Sequence, residues 1–375
     1  MTFDAAEHAA RRARLDEAMT DRGLDALLMF APDSHYWLTG FDTFGFCFFQ
    51  CLIYANGKAH LLTRSADLRQ AQLTSDIEDI RIWTDGRDDP AAMLSDWLRE
   101  LGIAGRIGVE TETHGLTAAN GMRLFAALPD LVEASDLVPT LRLTKSPAEI
   151  ACLRRAGELT DKGYEAALPL IAPGADEGEI LAALQGAIFA GGGDFPANPV
   201  VIGSGERALL CRSATGRRRL DPQDQLTLEW AGVWRNYHAA AMRTVIIGPP
   251  TDRHRQLHDA AREALLACEA ALTPGARMRD VFAAHADTLD RHGLSAHRLN
   301  ACGYAQGARY APSWMEPQMF HAGADTVIGP DMAFFLHMIL MDSDTGTAMT
   351  LGRTSLTTAE GAEPLSRLPL ELDVG

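Results

Sequence analysis

The sequence predicts an α/β (α+β) protein of two domains, the second built from two duplicated halves. Three observations lead to this. The chain has 375 residues, where a domain commonly holds about 100–200. Short apolar runs of strand length alternate with helical patterns up to about residue 140. Beyond residue 145 a set of landmarks occurs twice in the same order. We expect domains at 1–142 and 143–375.

In the first domain Leu15, Ala18 and Met19 keep helical spacing, and Gly23 ends that helix. Asp25 to Phe30 is an apolar run of strand length. Residues 41–54 are aromatic and apolar, Gly57 marks a turn, and His60-Leu61-Leu62-Thr63 follows, which predicts a hairpin. Ile80 to Trp83 and Arg106 to Val109 read as strands around a helix from Pro90 to Leu101.

The second domain opens on a helix start, with Ser146 as N-cap, Pro147 at the first position and Glu149 at the third. Leu-Ile-Ala-Pro-Gly-Ala at 170–175 returns as Ala-Leu-Thr-Pro-Gly-Ala at 271–276. Pro222 leads into Leu226-Thr227-Leu228-Glu229, and Pro330 into Phe334-Phe335-Leu336-His337. An Arg-Thr pair then opens a further strand in each half, at Arg243 and at Arg353. Glu229 and His337 each lie seven residues after their proline, so the duplication sets them face to face near a pseudo-two-fold axis.

Composition narrows the function. A net charge of -16 argues against a nucleic-acid surface. Arg217-Arg218-Arg219 is followed by Asp221 and Asp224 and reads as a solvated loop. No run approaches the roughly 18 apolar residues of a membrane span. The N-terminus has no basic start before an apolar core, so neither a secretory signal nor a membrane partner is expected. Six cysteines without a C-x-x-C pair read as reduced thiols of a cytoplasmic protein.

Glu229 is an acid in an apolar strand. Burial of a lone carboxylate costs several kcal/mol, so it is either paired, with Arg243 as the structural partner, or a general acid or base. His337 stands in an apolar strand, and the repeat matches it with Glu229. His238, after the turn at Arg235-Asn236, reaches toward the same cavity in this reading. Tyr304 lies between Gly303 and Gly307, where backbone approaches a ligand closely. Cys211 is a buried structural thiol unless a base adjoins it. Asp342 and Asp344 read as a solvated turn rather than a metal site.

These motifs resemble the creatinase/prolidase (pita-bread) family. The likeness lies in Lys145-Ser146-Pro147-Ala148-Glu149-Ile150, the two Pro-Gly-Ala turns, the strand to Glu229 and the segment Tyr237 to Thr244. It implies a creatinase-like N-terminal α/β domain and a C-terminal pita-bread domain. Metal-dependent members use two Asp, a His and two Glu. Carried over, these positions hold Glu229, Ala240, Tyr304, His337, and Gly352 or Arg353. Such a set lacks the carboxylates of a two-cation site, so no metal and no cofactor are expected. A single weakly held ion on Glu229, His238 and His337 is the alternative.

Glu229-Trp230-Ala231-Gly232, Arg235-Asn236-Tyr237-His238, Gly303-Tyr304 and Pro312-Ser313-Trp314 resemble the metal-free ectoine hydrolase-like branch. The resemblance implies hydrolysis of a C–N bond in a small zwitterion such as a cyclic amidine. Glu229, His238, His337 and Tyr304 are then the catalytic set. Tyr237, Arg243, Trp314, Cys211 and Phe46 are the substrate-binding candidates. In this fold a partner subunit commonly closes the cleft, so a homodimer is expected, and Phe44 to Phe49 suits a lid, a dimer contact or its own domain's core. The other readings are a binding module without catalysis and an Xaa-Pro aminopeptidase-like metallopeptidase.

Overall fold

The computed structural model describes residues 3–375. The chain forms two compact units, one ending at Arg142 and one running from Leu143 to Gly375.

The N-terminal unit runs α1 (Ala5–Asp21), β1 (Ala26–Met29), α2 (Pro32–Thr39), β2 (Cys51–Ala55), β3 (Lys58–Arg64), α3 (Leu68–Thr74), β4 (Asp79–Trp83), α4 (Pro90–Glu100), β5 (Ile107–Val109), α5 (Ala118–Ala127), β6 (Val132–Glu133) and α6 (Leu137–Leu143). Its six strands form one sheet in the order β4-β3-β2-β1-β5-β6. Side chains alternate across it. Leu27, Met29, Leu52 and Leu61 pack on one face; Leu28, Phe30, Ile53 and Leu62 pack on the other.

Two readings of this unit need correction. Residues 41–50 are not strand. Gly45–Cys47 is a 3-10 turn, tied down because Thr43 Oγ1 donates to Asp67 and accepts from the Gly45 amide. Only Cys51–Ala55 pairs with β3, through a turn whose Asn56 and Gly57 take positive φ. Helix α2 went unrecognised because all eight of its residues are buried, which erases any apolar periodicity. Within the unit Phe46 is buried, whereas Phe44 is 84% exposed.

The C-terminal unit runs α7 (Pro147–Ala167), α8 (Glu177–Ala190), β7 (Val201–Ser204), β8 (Asp224–Trp234), β9 (Tyr237–Ile247), α9 (Asp252–Ala271), α10 (Met278–Arg291), β10 (Gly303–Ala305), β11 (Ala333–Asp342), β12 (Thr347–Thr358) and β13 (Gly361–Pro364). Its main sheet order, β10-β11-β12-β9-β8-β7, reads the same from either edge when the halves are exchanged. This is the duplicated pita-bread architecture. The two Pro-Gly-Ala turns are matched bond for bond. Gly174 N donates to Leu220 O and Gly275 N to Ile328 O, at 2.7 and 2.8 Å. The return bonds, Leu220 N to Ala175 O and Ile328 N to Ala276 O, measure 2.9 and 2.8 Å. Both glycines take positive φ, 83° and 92°. The Arg-Thr pairs differ from expectation in lying mid-strand, in β9 and β12, rather than at strand starts.

Each central strand has two unlike faces. Leu226, Leu228, Trp230, Ala241 and Val245 pack in a core with α7 and α8 residues. Phe334, Leu336, Met338, Met349 and Leu351 pack with α9 and α10. The opposite face carries Ala231, Ala240, Met242, Tyr304, Phe335 and Ile339, and the cavity opens there.

Helix α7 starts at the capping box the sequence predicts, Ser146 Oγ accepting from Glu149 N and Glu149 Oε2 from Ser146 N. It lies close on β8. Thr160 Oγ1 accepts from Gly232 N and donates to Ala239 O, and Trp230 Nε1 donates to Thr160 O. A Cβ at Gly232 meets Ala156 O at 2.2 Å, so only glycine permits this approach. Gly232→Ala is therefore expected to lower stability by about 1–3 kcal/mol, seen as a lower urea midpoint in circular dichroism.

Candidate functional site

The antiparallel register sets the site out in rows. Glu229 pairs with Met242, Met242 with Gly352, and Gly352 with His337. One line across β8, β9, β12 and β11 thus reads Glu-Met-Gly-His. The neighbouring row contains Ala231, Ala240, Thr354, Phe335 and Tyr304. Glu229 and His337 hold symmetric places, as the duplication predicts, but two strands separate them. Three strand spacings put their backbones about 14 Å apart.

These rows floor a cavity of about 350 Å³ lined by residues between Asn198 and Ile339. Its polar groups include Glu229, Tyr304, His337, Trp314, Asn198, Cys211 and Arg212. Tyr304 Oη donates to Glu229 Oε1 at 3.4 Å and accepts from Trp314 Nε1 at 2.8 Å. Trp314 N in turn donates to Asn198 Oδ1. The chain Asn198–Trp314–Tyr304 therefore aims a phenol at the carboxylate. The His337 ring packs 5.7 Å from Tyr304 and 5.5 Å from Phe335, centroid to centroid. Its Nδ1 is buried without a partner.

Burial dominates the proton affinities. It pushes the Glu229 carboxyl up to about 7, against the opposing pull of Arg212 and of the Tyr304 hydrogen bond. It pushes the His337 imidazole down to about 4. Burial and the Glu229 charge raise Tyr304, so the phenol stays protonated. The same two causes raise the Cys211 thiol, so Cys211 lines the cavity without being an activated nucleophile.

Four other expected residues lie elsewhere. His238 is fully buried outside the cavity lining, and its Nε2 accepts from Ala197 N at 2.9 Å. That bond puts the ring proton on Nδ1 and engages Nε2 with the backbone. Its ring lies 6.2 Å from Trp314, so it backs the cavity wall. Tyr237 donates its hydroxyl to Glu149 Oε1 at 2.7 Å, tying β9 to the start of α7. Arg243 points to the helix face, where Nη2 donates to Pro369 O and Nε lies 4.0 Å from Asp373. It is neither a substrate ligand nor the partner of Glu229. In both cases strand alternation was the missing constraint: 229 and 243 stand on opposite faces once Leu228 pairs with Arg243. Phe46 belongs to the N-terminal unit and is not among the lining residues. Conversely, Arg212 and Asn198 line the cavity although neither was a candidate; both lie in irregular chain, where the sequence carries no periodic signal.

A cation pair does not fit these residues. Besides Glu229 and His337, the carried-over positions are the methyl of Ala240, the phenol of Tyr304 and Gly352. Arg353 is turned to the helix face, paired with Glu269 through two bonds of 2.8 Å. Gly352 has no room for a ligand: a Cβ there meets Leu336 O at 2.7 Å and the Phe335 ring at 3.0 Å. Among the described residues, the group of three metal-type donors within reach of one another is His297, Asp342 and Asp344. There Asp342 is a turn anchor, accepting from Arg253 and from the amides of Asp344 and Thr345.

Comparison with known proteins places this geometry. Residues 151–359 match the model of metallopeptidase family M24, and residues 11–144 match the creatinase/prolidase N-terminal domain. The hydrolase/peptidase y4tM of Sinorhizobium fredii is 31% identical over 99% of this chain and 98% of that relative. The ectoine hydrolase of Halomonas elongata is 27% identical over 100% of this chain and 98% of its own length. The crystal structure of dipeptidase PepE from Mycobacterium ulcerans matches 99% of both chains with a TM-score of 0.86 at 25% identity.

The raised carboxyl has a consequence for stability. The folded chain holds the Glu229 proton more tightly than the unfolded chain does. The associated stability is complete below the ordinary carboxyl range and is lost as pH rises through about 7. Glu229→Gln, uncharged at every pH, is expected to match the wild-type melting temperature near pH 4, below the ordinary carboxyl value. Near pH 8 it is expected to be the more stable by on the order of 1 kcal/mol. Scanning fluorimetry at the two pH values checks this; an equal difference at both would show that the carboxylate is not desolvated.

Proposed function

The chain belongs to metallopeptidase family M24, and we propose that it is a metal-independent hydrolase of a C–N bond in a small zwitterionic compound. The substrate class is an ectoine-type cyclic amidine or a related amide or amidine. One observation carries this reading: among the described residues Glu229 is the one carboxylate on the cavity lining, and the places from which further acids would reach it hold Ala240, Tyr304, His337 and Gly352. The whole-length likeness to an ectoine hydrolase supports the substrate class. Peptide hydrolysis by paired cations is disfavoured by the same donor set.

In this mechanism Glu229, with its pKa near neutrality, takes a proton from water. The water oxygen attacks the amidine carbon, and its nitrogen collects the electron pair. Tyr304, aimed by Trp314, donates a hydrogen bond to the developing charge. The protonated Glu229 then gives its proton to the departing nitrogen, and the C–N bond breaks as the carbonyl forms, the hydroxyl proton passing to the Glu229 carboxylate. Its proton affinity suits both steps. His337, neutral across the working range, offers the substrate a hydrogen bond instead of a proton. A homodimer is part of the proposal, supported by the exposed Phe44 and Phe48.

Purified protein incubated with ectoine is expected to convert it to a product heavier by one water, followed by mass spectrometry. Glu229→Gln is expected to lower kcat by a factor of about 100 to 10,000, and Tyr304→Phe by about 100. In the wild type kcat/KM rises with pH through about 7. In Tyr304→Phe that limb moves to higher pH, because a bond favouring the carboxylate is lost. Elemental analysis is expected to find far less than one metal ion per chain, and chelators leave turnover unchanged. Stoichiometric metal together with cleavage of Xaa-Pro dipeptides overturns the reading; binding without turnover identifies a binding module.

A further inference from the structure

We propose that Arg212 selects the substrate: its guanidinium binds a carboxylate on the same small molecule whose nitrogen-bearing, cationic end lies against Glu229. The inference rests on the C–N hydrolase reading and deepens it, since it assigns the anionic half of the zwitterion to a residue.

Among the described residues the cavity lining holds one fixed cation, Arg212, and one acid, Glu229. Its remaining members are neutral, with His337 held uncharged by burial. Arg212 is exposed on the lining, and among the described residues it makes no hydrogen bond or ion pair. Other arginines of this unit are committed. Arg218 pairs with Asp221 and Asp224, Arg353 with Glu269, and Arg253 with Asp342. The backbone around Arg212 is nevertheless anchored. Ser213 O accepts from Ile202 N in β7 at 2.8 Å, and Arg207 donates to Ser213 Oγ and to Thr215 O.

A guanidinium left unbonded on a fixed loop is suited to a ligand. It acts on Glu229 as the leading charge, no hydrogen bond or ion pair joins the two among the described residues, and both line the same cavity of about 350 Å³. A molecule with a carboxylate and an amidinium a few bonds apart occupies such a cavity with both charges matched. Guanidinium and carboxylate meet through paired N–H···O bonds, which confers geometric selectivity.

The test uses two probes, ectoine and the same cyclic amidine with its carboxylate replaced by hydrogen. Titration calorimetry is run on the full wild-type chain, Arg212→Ala and Arg212→Lys. The wild type is expected to prefer ectoine by about tenfold or more, and Arg212→Ala to lose that preference by weakening only ectoine. Affinity for the carboxylate-free probe stays within about twofold, and Arg212→Lys keeps part of the preference. An unchanged melting temperature shows that the variants fold. Equal weakening of both probes overturns the inference, because Arg212 then only tunes Glu229. A preference that survives in Arg212→Ala, or a wild type without preference or binding, overturns it as well. The expected binding pattern without turnover removes the hydrolase reading and leaves this role intact; turnover with unaltered ectoine affinity in Arg212→Ala does the reverse.

Discussion

Drawing the half-buried Glu229 carboxylate partly out of water, onto a sheet face shared with Met242, Ala240 and Phe335, raises its proton affinity, and among the described residues no cation is bonded to it to offset this. Among the described residues its direct support is a long hydrogen bond from Tyr304. A carboxylate so placed sits near the midpoint of its titration at neutral pH, where it exchanges protons most readily. The phenol, the indole behind it and the neutral imidazole opposite are arranged around that condition. A nearby Lys or Arg in hydrogen-bond contact would lower the proton affinity and take away the basis of the proposed chemistry.

The sheet supplies the place for such a group by keeping its two faces apart. Helices α7 and α8 cover one half of the outer face and α9 and α10 the other. The inner face is thereby released from the work of holding the fold together. Because the halves are related by a pseudo-two-fold, each contributes one titratable residue to the same row. Divergence between the halves then makes one an acid and the other an imidazole.

Much of this was legible in the sequence. The Pro-Gly-Ala turns, the capping box at Ser146 and the Arg235-Asn236 hairpin each depend on local chemistry, and each is found in place. Glu229, His337, Tyr304, Trp314 and Cys211 do share one cavity. His238, Tyr237 and Arg243 were drawn to it because proximity in sequence does not tell which face of β9 a residue takes, nor what covers it. His238 even stands on the inner face, and it is the cover of Ala197 and Trp314 that separates it from the cavity. The choice between Gly352 and Arg353 likewise needed the register, which turns Arg353 outward to Glu269. Arg212 lay beyond reach because a loop arginine has no pattern to betray its partner, or its lack of one.

The Phe335 ring over Gly352 closes position 352 to a larger side chain. Any side chain placed there meets that ring and the Leu336 carbonyl. Making room there requires a smaller residue at 335, and that exchange by itself strips the rings of Tyr304 and His337 of their packing partner. Positions 335 and 352 therefore behave as one unit of shape, which a single substitution cannot reset.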